Sequence, residues 1–561
     1  MSVTFPPGLI LLLGAFLLPT VRGRLREALV LILPLLTLAA VWAVPEGHVT
    51  SVSFLEYTLE PVAWSATGRV FATVFSIMAF AGGLYALRIA SVLELVAAFA
   101  YAGSAIGVTF SGDLVTMFVF WELMAVGSTL VLWASDQPGA YRASMRYLLV
   151  HLLGGVILMV GIVSHIAATG SVEFTAMTAD SWPEWMMLAG MLVNAGAPPL
   201  GAWIADAYPE ASPSGMVFLS AFTTKTAVFT LMIGFPGTRI LIFIGLYMAV
   251  YGIIYALLEN DMRRILAYSI VNQVGFMVTG IGIGTEMALN GATAHAFAHI
   301  IYKALLLMSA GSVLYMTGKR KCTDLGGLFR TMPVTAIAGI IGALAISAFP
   351  FTSGFISKSM INQAAADEHI ALAWFILTAA SAGVFLHAGI KFPWFVFFQK
   401  DSGLRPSDPP AFMRWPMWFF SFICIGLGVY PAPLYEILPY AVDYVPYTAS
   451  HLVSQFQLLL FAGLAFFVLL PLMKRTLTIS LDFDWFYRRF GAAVGSEFAV
   501  QTGKARTAAA SAIVGTAKNV VDRLARHHAA EGIWSRTWPT GSMVLWVALL
   551  LGAYVLFYLR F

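Results

Sequence analysis

The sequence predicts an all-α, polytopic membrane protein with about sixteen transmembrane segments, each long enough to cross a bilayer. Of its 561 residues, 59% are hydrophobic and 11% are charged, whereas about a quarter of the residues in a soluble domain are charged. Apolar runs of about 17 to 25 residues recur along nearly the whole chain, and continuous runs of this length favour helices over the alternating strands of a membrane barrel. This composition excludes a soluble enzyme, a disordered protein and a nucleic-acid-binding module.

The apolar runs define the predicted spans and their grouping. The spans cover residues 7–21, 27–44, 68–88, 91–109, 113–134, 146–168, 185–205, 213–235, 239–258, 262–284, 289–316, 333–358, 370–399, 411–430, 453–473 and 540–559. The first run lacks the basic start of a secretory signal, so we expect it to be retained as a span. We expect six regions: N-terminal spans in 1–90, a first five-helix repeat in 91–235, a second in 239–399, C-terminal spans in 400–475, a lateral amphipathic segment in 476–538 and a terminal anchor span in 540–561.

Two predicted spans contain helix breakers. Gly196, Pro198 and Pro199 interrupt the seventh span, and Pro350 and Gly354 interrupt the end of the twelfth. Proline removes a backbone donor and kinks a helix, and irregular backbone at membrane depth is tolerated only where it is buried in protein or lines a cavity. One interrupted span in each half indicates inverted repeats, as in transporters, although the sequence shows no residue-by-residue repeat.

Basic residues concentrate in alternate loops. They end or follow the odd-numbered spans, and they are Arg22, Arg24, Arg26, Arg88, Arg142, Arg146, Arg263, Arg264, Lys319, Arg320, Lys321, Lys400, Arg405, Arg414, Lys474 and Arg475. The loops on the other side are acidic or neutral. Because positively charged loops stay in the cytoplasm, we expect the basic side to be cytoplasmic and the N-terminus to lie outside.

The segment 476–538 is polar and rich in alanine. Ile513, Val520 and Leu524 fall on one helical face, which predicts an amphipathic helix. Such a helix could rest on lipid headgroups or clasp a neighbouring membrane subunit, and the sequence leaves both alternatives open.

Ionisable residues inside the predicted spans are the main functional signal. They are Glu122, Lys225, His295, His299, Lys303, Lys358, His387 and Lys391. A charge at mid-membrane costs several kcal/mol and indicates function by default. The structural alternatives are a protonated, hydrogen-bonded carboxyl at Glu122 and a Lys391 side chain that reaches the headgroups from the end of its span.

The spacing of His295, His299 and Lys303 places all three side chains on one helical face. Two imidazoles and an amine in file suit proton transfer, because imidazole titrates near neutral pH and a buried lysine can release its proton. The two histidines also have the spacing of a metal pair, but no glutamate follows the first and no third ligand is visible. We therefore expect no metal; the remaining alternative is hydrogen bonding between helices.

No cofactor is expected. Cys322 and Cys424 have no neighbouring cysteine, which argues against a disulfide framework or a thiolate metal site. The chain has no GxxxxGK[ST] motif and no motif for flavin, haem or iron–sulfur binding. We expect it not to be an enzyme by itself, although it could be a subunit of a redox-driven translocase.

Several ordered motifs carry a family resemblance. The segments are NAGAPPLGAWIADAYPEASPS, ALLENDMRRILAYSIVNQVGFM, HAFAHIIYKALLLMSAG and DLGGLFRTMP with SAFPFTSGFISK. Over roughly residues 60–400 the chain resembles the antiporter-like membrane subunits shared by respiratory complex I and Mrp-type cation/proton antiporters. The Tyr-Pro of DAYPEA and the Lys358 of GFISK are most similar to the D-type Mrp subunit.

The resemblance implies roles for individual residues. Glu122 matches the buried glutamate of the family, and Lys225 matches its central lysine. The residues His295, His299 and Lys303 match the relay helix of the second half, and Lys358 matches the terminal lysine that faces the exit. Asn194, His387 and Lys391 are possible accessory residues.

The chain departs from the family pattern at Asn194. The family usually has a lysine nine residues before the tryptophan that is Trp203 here, and that lysine pairs with the buried glutamate. Asparagine can hydrogen-bond Glu122 but cannot titrate. We therefore expect Glu122 to be protonated at rest or paired with another basic group such as Lys225. A second departure is SPSG at 212–215, where the family tends to have APTP.

The resemblance implies a proton-translocating subunit of a multisubunit Na⁺(K⁺)/H⁺ antiporter, with other membrane subunits as partners, in the bacterial inner membrane. Two alternatives stay open. One is a proton-pumping subunit of a complex I-like or membrane-bound hydrogenase assembly, and the other is a non-conducting scaffold or energising subunit.

Overall fold

Helices dominate the computed structural model, which describes residues 5–471 and 482–560. Within those residues there are 21 α-helices and one two-stranded antiparallel sheet. The chain divides into a first compact unit that ends at Asp484 and a second that begins at Trp485. The finer division into six regions and the inverted repeats stay predictions.

The helices of the first unit follow one another through short connections. They are α1 Pro7–Ala15, α2 Arg24–Ala43, α3 Ala66–Ala86, α4 Val92–Phe110, α5 Leu114–Trp133, α6 Ala140–Thr169, α7 Trp182–Ala195, α8 Trp203–Ala207, α9 Gly215–Leu219, α10 Thr223–Gly234, α11 Ile240–Leu258, α12 Met262–Ile283, α13 Glu286–Thr317, α14 Pro333–Ile346, α15 Ser353–Asp367, α16 Ala371–Val384, α17 Ala411–Val429, α18 Ala432–Tyr435 and α19 Ala449–Leu469. After α16 the chain continues in π-helical turns, Phe385–Lys391 and Trp394–Phe398.

A β-hairpin that the sequence did not predict joins α2 to α3. Its strands, β1 (Val49–Phe54) and β2 (Tyr57–Ala63), pair antiparallel. Asp113 fixes the hairpin to the start of α5, because its carboxylate accepts hydrogen bonds from the Glu60 amide and from the Thr116 amide and hydroxyl. The all-α prediction therefore holds apart from one small sheet between two spans.

Thirteen helices in the described ranges are long and apolar enough to cross a membrane. The predicted count of sixteen is not confirmed. The run at 7–21 forms a helix of only 9 residues, α1. The runs at 185–205 and 333–358 are each divided into shorter helices, because their helix breakers interrupt the backbone as expected.

Both interruptions are specified by local backbone requirements. Helix α7 ends where Gly196 adopts the left-handed conformation, with φ of 79°. Helix α14 ends before Ala348 and Phe351, whose φ angles are 55° and 67°. A Cβ atom at Gly354 would collide with the carbonyl oxygen of Ala345, so only glycine fits there. The residues at these positions therefore specify both helix breaks.

A network of arginines holds the connection between α8 and α9. Arg263 is buried at the start of α12 and donates to the carbonyl oxygens of Pro209, Ala211 and Ser212 at 3.0, 2.8 and 2.9 Å. These carbonyls come from the DAYPEASPS segment, so the network ties two of the sequence motifs together. Arg263 thus stabilises the fold in addition to adding positive charge to its side.

Arg320 extends the same network. It pairs with Glu210 and with Asp261, each at 2.8 Å. Asp261 in turn caps the N-terminus of α12 through the amide of Arg263. The connections after α8, α11 and α13 are therefore joined through ion pairs.

Most of the predicted lateral segment is one helix of the second unit, α20 (Gly491–His528), with 38 residues. Ile513, Val520 and Leu524 are exposed along it, as expected of an unpaired amphipathic face. Residues 476–481 of that prediction lie outside the described residues. The terminal span is α21 (Thr540–Tyr558), which agrees with the predicted 540–559.

Replacing Arg263 by alanine should destabilise the protein by at least about 3 kcal/mol, because three carbonyl oxygens lose a charged donor at once. The measurement is the thermal unfolding of the purified protein in detergent. Arg405, which is exposed and pairs with Asp401 within its own loop, is the matched control. Its alanine variant should lose less than about 1 kcal/mol, and equal losses would contradict the structural role of Arg263.

Candidate functional site

Helix α13 lies at the centre of the first unit and carries three of the predicted residues. His295, His299 and Lys303 are each 0% exposed. The helix packs against α12, α14 and α15, which surround it with further polar side chains. None of the three predicted residues faces lipid.

His295 joins three helices through hydrogen bonds. Its Nδ1 lies 3.0 Å from the Ser357 hydroxyl on α15, and its Nε2 lies 3.1 Å from Oε1 of Gln273 on α12. The hydroxyl of Tyr302 donates to the same Gln273 oxygen at 3.1 Å. This network favours the tautomer with the proton on Nε2, because the Gln273 oxygen can only accept.

His299 differs from His295 in having no partner. Neither of its ring nitrogens has a hydrogen-bond partner within the described part of the chain. Its ring stands edge-on to Tyr302 with the centroids 5.3 Å apart, and the two histidine rings are 6.2 Å apart. An unpaired buried polar group costs about 1–3 kcal/mol, so an imidazole kept in this state points to function.

The lysines of the second half are held by neutral oxygens. Nζ of Lys303 donates to the Ser269 hydroxyl at 2.7 Å. Nζ of Lys358 donates to the carbonyl of Ile346 at 2.7 Å and lies 4.9 Å from the ring centre of Phe276. Because Ile346 is the last residue of α14, Lys358 caps the interrupted helix, where the helix dipole favours a cation.

Lys225 is held in the same way in the first half. It is 0% exposed on α10, and its Nζ donates to the Ser220 carbonyl at 2.7 Å and to the Thr224 hydroxyl at 3.1 Å. Ser220 lies between α9 and α10, so this lysine also reaches a carbonyl at a helix interruption. Among the described residues, none of Lys225, Lys303 and Lys358 has a carboxylate within 4.0 Å.

Glu122 and Asn194 both lie against helix α6, but no hydrogen bond joins them. Glu122 is half-buried on α5, and its Oε1 has no hydrogen-bond partner in the described structure. Both amide atoms of the fully buried Asn194 are also unpartnered. The structure shows neither the hydrogen bond between them nor an ion pair of Glu122 with Lys225.

Helix α6 contributes two glycines at this point. A Cβ atom at Gly155 would collide with Oε1 of Glu122, and one at Gly154 would come 3.6 Å from Oδ1 of Asn194. Gly155 therefore makes room for the Glu122 carboxyl against α6, whereas a Cβ at Gly154 would first meet Val193, at 3.0 Å.

Lys391 has a structural position. Its Nζ donates to the carbonyl oxygens of Ala256, Leu257 and Glu259 at 3.1, 2.6 and 2.6 Å. These carbonyls end α11, so Lys391 caps that helix. His387, on the same π-helical turn, has its Nδ1 2.8 Å from the Gly383 carbonyl and no partner for Nε2 in the described residues.

The sequence analysis missed the polar side chains that surround these groups. Ser269, Gln273 and Ser357 contact the predicted residues directly. His151 on α6 was also missed, although an isolated histidine inside an apolar run was a visible signal. No cluster of three or more possible metal ligands occurs within residues 5–471 and 482–560.

Known proteins are similar to this chain in sequence. Residues 111–385 match the family described as NADH:quinone oxidoreductase/Mrp antiporter, transmembrane. The A/B subunit of a probable K(+)/H(+) antiporter of Rhizobium meliloti (strain 1021) is 30% identical over 359 residues, which span 59% of this chain and 36% of that protein. The D subunit of the Na(+)/H(+) antiporter of Alkalihalophilus pseudofirmus (strain ATCC BAA-2126 / JCM 17055 / OF4) is 28% identical over 351 residues, 59% of this chain and 71% of that protein.

A solved structure shares the fold. A chain of the membrane-bound sulfane sulfur reductase, an archaeal respiratory membrane complex, matches with a TM-score of 0.72 at 22% identity, over 98% of this chain and 99% of that chain. The chain is a multi-pass membrane protein, and its residues 111–385 are similar to the NADH:quinone oxidoreductase/Mrp antiporter transmembrane family.

Proposed function

We propose that the chain is a proton-translocating subunit of a multisubunit Na⁺(K⁺)/H⁺ antiporter complex in the bacterial inner membrane. One observation supports this most directly: Lys225, Lys303 and Lys358 are buried, and their ammonium groups contact carbonyl and hydroxyl oxygens. A buried ammonium ion without a carboxylate partner is costly to keep charged. Amines held by neutral oxygens can take up and release protons.

In the second half, the proposed route runs along α13 and ends on α15. His299 lies one helical turn from both His295 and Lys303, and its unpartnered nitrogens can accept a proton from either side. His295 reaches Ser357, whose neighbour in the chain is Lys358. A proton can therefore pass from Lys303 towards Lys358 through imidazoles and a hydroxyl.

Electrostatic repulsion would drive the transfer. Two ammonium ions in a low-dielectric interior repel strongly, and neither has a carboxylate to screen it. The arrival of a proton at Lys225 therefore favours the departure of a proton from Lys303, and the same argument links Lys303 to Lys358. The polar axis would act as a series of coupled sites, with Glu122 as the acidic group at its first end.

Partner subunits complete the proposal. The similar proteins are named as subunits of K⁺/H⁺ and Na⁺/H⁺ antiporters, so we propose that this chain works beside other membrane subunits that supply the route for Na⁺ or K⁺. The exposed apolar face of α20 suits either lipid headgroups or such a neighbouring subunit.

A second candidate function is a proton-pumping subunit of a redox-driven complex. It is favoured by the respiratory complex whose chain matches 98% of this one, a length that includes the C-terminal helices. Redox chemistry in partner subunits would then drive the same polar axis. Purification of the intact complex distinguishes the two, since iron–sulfur or nickel subunits would accompany the pump and small antiporter subunits would accompany the antiporter.

Replacing Lys303 or Lys358 by alanine is expected to abolish cation-dependent proton flux, because each variant removes one titratable site from the series. The measurement is the dissipation of a pH gradient on addition of Na⁺ or K⁺ to inverted membrane vesicles that contain the whole complex. Lys319, an exposed loop lysine, is the matched control and should tolerate alanine. Normal flux in the Lys225, Lys303 and Lys358 triple variant would contradict the proposal and favour a non-conducting scaffold or energising subunit.

Replacing Gly155 by alanine is expected to lower the flux, because the added methyl group would displace the Glu122 carboxyl. If that is its only effect, Gly155→Ala should lower the flux little further in a Glu122→Gln variant. The losses of flux from the two substitutions should therefore be strongly non-additive. Gly426→Ala is the control for helix glycines, since a Cβ atom there meets nothing within 4 Å. Additive losses from Gly155→Ala and Glu122→Gln would show that Gly155 serves helix packing instead.

A further inference from the structure

We propose that His151 is a proton-transfer residue of the first half, connecting the Glu122 region with Lys225. The inference rests on the proposed function of the chain. It assigns a role to a histidine that stands on α6, one helical turn before the two glycines that face Asn194 and Glu122. Three observations support it: the state of the imidazole, the position of its ring and the polar groups beyond it.

One ring nitrogen of His151 is hydrogen-bonded, and the other has no partner among the described residues. The side chain is buried, and Nδ1 lies 2.9 Å from the backbone carbonyl of Tyr147. A carbonyl oxygen can only accept, so Nδ1 carries the hydrogen. Nε2 therefore presents its lone pair, and it has no partner among the residues described.

Aromatic side chains fix the ring beside the first interrupted helix. Tyr147 stacks on it with the centroids 3.9 Å apart, and Trp203 stands edge-on at 4.5 Å. The indole of Trp203 donates to the carbonyl of Val193 at 3.0 Å, directly before Asn194. The ring of His151 is thus held at the break between α7 and α8, where Asn194 offers a polar group that cannot titrate.

Two hydroxyl contacts, adjacent in the chain at Thr223 and Thr224, lie between Tyr147 and Lys225. The Tyr147 hydroxyl lies 3.4 Å from that of Thr223, on α10. The next residue, Thr224, accepts a hydrogen bond from Nζ of Lys225 at 3.1 Å. Tyr101 adds a further hydroxyl, 2.5 Å from Thr223. Hydroxyls both donate and accept, so they can pass a proton between the imidazole and the amine.

The charged groups around His151 suit a transient cation. Glu122 on α5 has an unpartnered carboxylate oxygen, and Lys225 lies beyond the threonines on α10. On the remaining side, Arg146 of α6 and Asp206 of α8 form an ion pair at 2.7 Å and largely cancel each other. A proton taken up on Nε2 would therefore be favoured by Glu122 and released in the direction of Lys225.

A structural role is the competing explanation, since a histidine can fill an aromatic cluster. That role would not need a ring nitrogen, and phenylalanine would fill the same space without an orphaned polar atom. The two explanations predict different results when a titratable group is introduced elsewhere at the break between α7 and α8. Only a proton-transfer role predicts that such a group restores the proton flux. Asn194→Lys places such a group beside Glu122, whereas it replaces none of the contacts of His151 with Tyr147 and Trp203.

The test measures cation-dependent proton flux in vesicles that contain the intact complex. His151→Gln should lower the flux about 100-fold, the usual size of a general acid–base contribution, while the complex still assembles. Adding Asn194→Lys to that variant should recover most of the flux. If His151→Gln prevents assembly, His151→Phe, which keeps the aromatic packing, takes its place.

Two results would overturn the inference: flux near the normal level in the His151 variant, or no recovery on adding Asn194→Lys. Lys303→Ala, measured in parallel, separates the two proposals. Loss of flux in Lys303→Ala with normal flux in the His151 variant would reject the role of His151 alone. Normal flux in both variants would reject the proposed function as well.

Discussion

The structure depends on how positive charge is accommodated in an apolar interior. A buried ammonium or guanidinium ion needs oxygen ligands, and helices offer few, because their backbone carbonyls are already bonded. Here the helices are interrupted or end close to all but one of the buried cations discussed above. Lys225 reaches Ser220 between α9 and α10, Lys358 reaches Ile346 at the end of α14, and Lys391 reaches the last carbonyls of α11.

The helix interruptions and ends therefore supply the carbonyl oxygens that bind these cations. A continuous α14 would leave no carbonyl for Lys358, and Gly354 is required because any larger residue would collide with Ala345. Arg263 follows the same rule at the edge of the unit, where it binds three carbonyls of a non-helical connection. Lys303 is the exception, because its ligand is the Ser269 hydroxyl of a continuous helix. It is also the lysine that lies nearest in sequence to the two histidines.

Much of the fold and the identity of the buried ionisable residues could be predicted from the sequence. Apolar runs show the spans directly, and a lysine or histidine inside such a run is conspicuous. The partners could not be predicted, because Ser269, Gln273 and Ser357 come from other helices and serine is common in any span. The β-hairpin was missed for a similar reason: Asp113, which anchors it, lies 53 residues from its hydrogen-bond partner Glu60. The absence of a bond between Glu122 and Asn194 depends on side-chain directions that spacing does not define.

The capping of helix ends by lysine has a consequence for how the molecule behaves when a proton leaves. An uncharged amine still carries two hydrogens, so Lys358 can remain bonded to Ile346 as either ammonium or amine. A carboxylate partner would behave differently, because most of its attraction disappears with the charge. The backbone around the gap between α14 and α15 can thus stay in place through both protonation states, and the molecule can change its charge without changing its shape there.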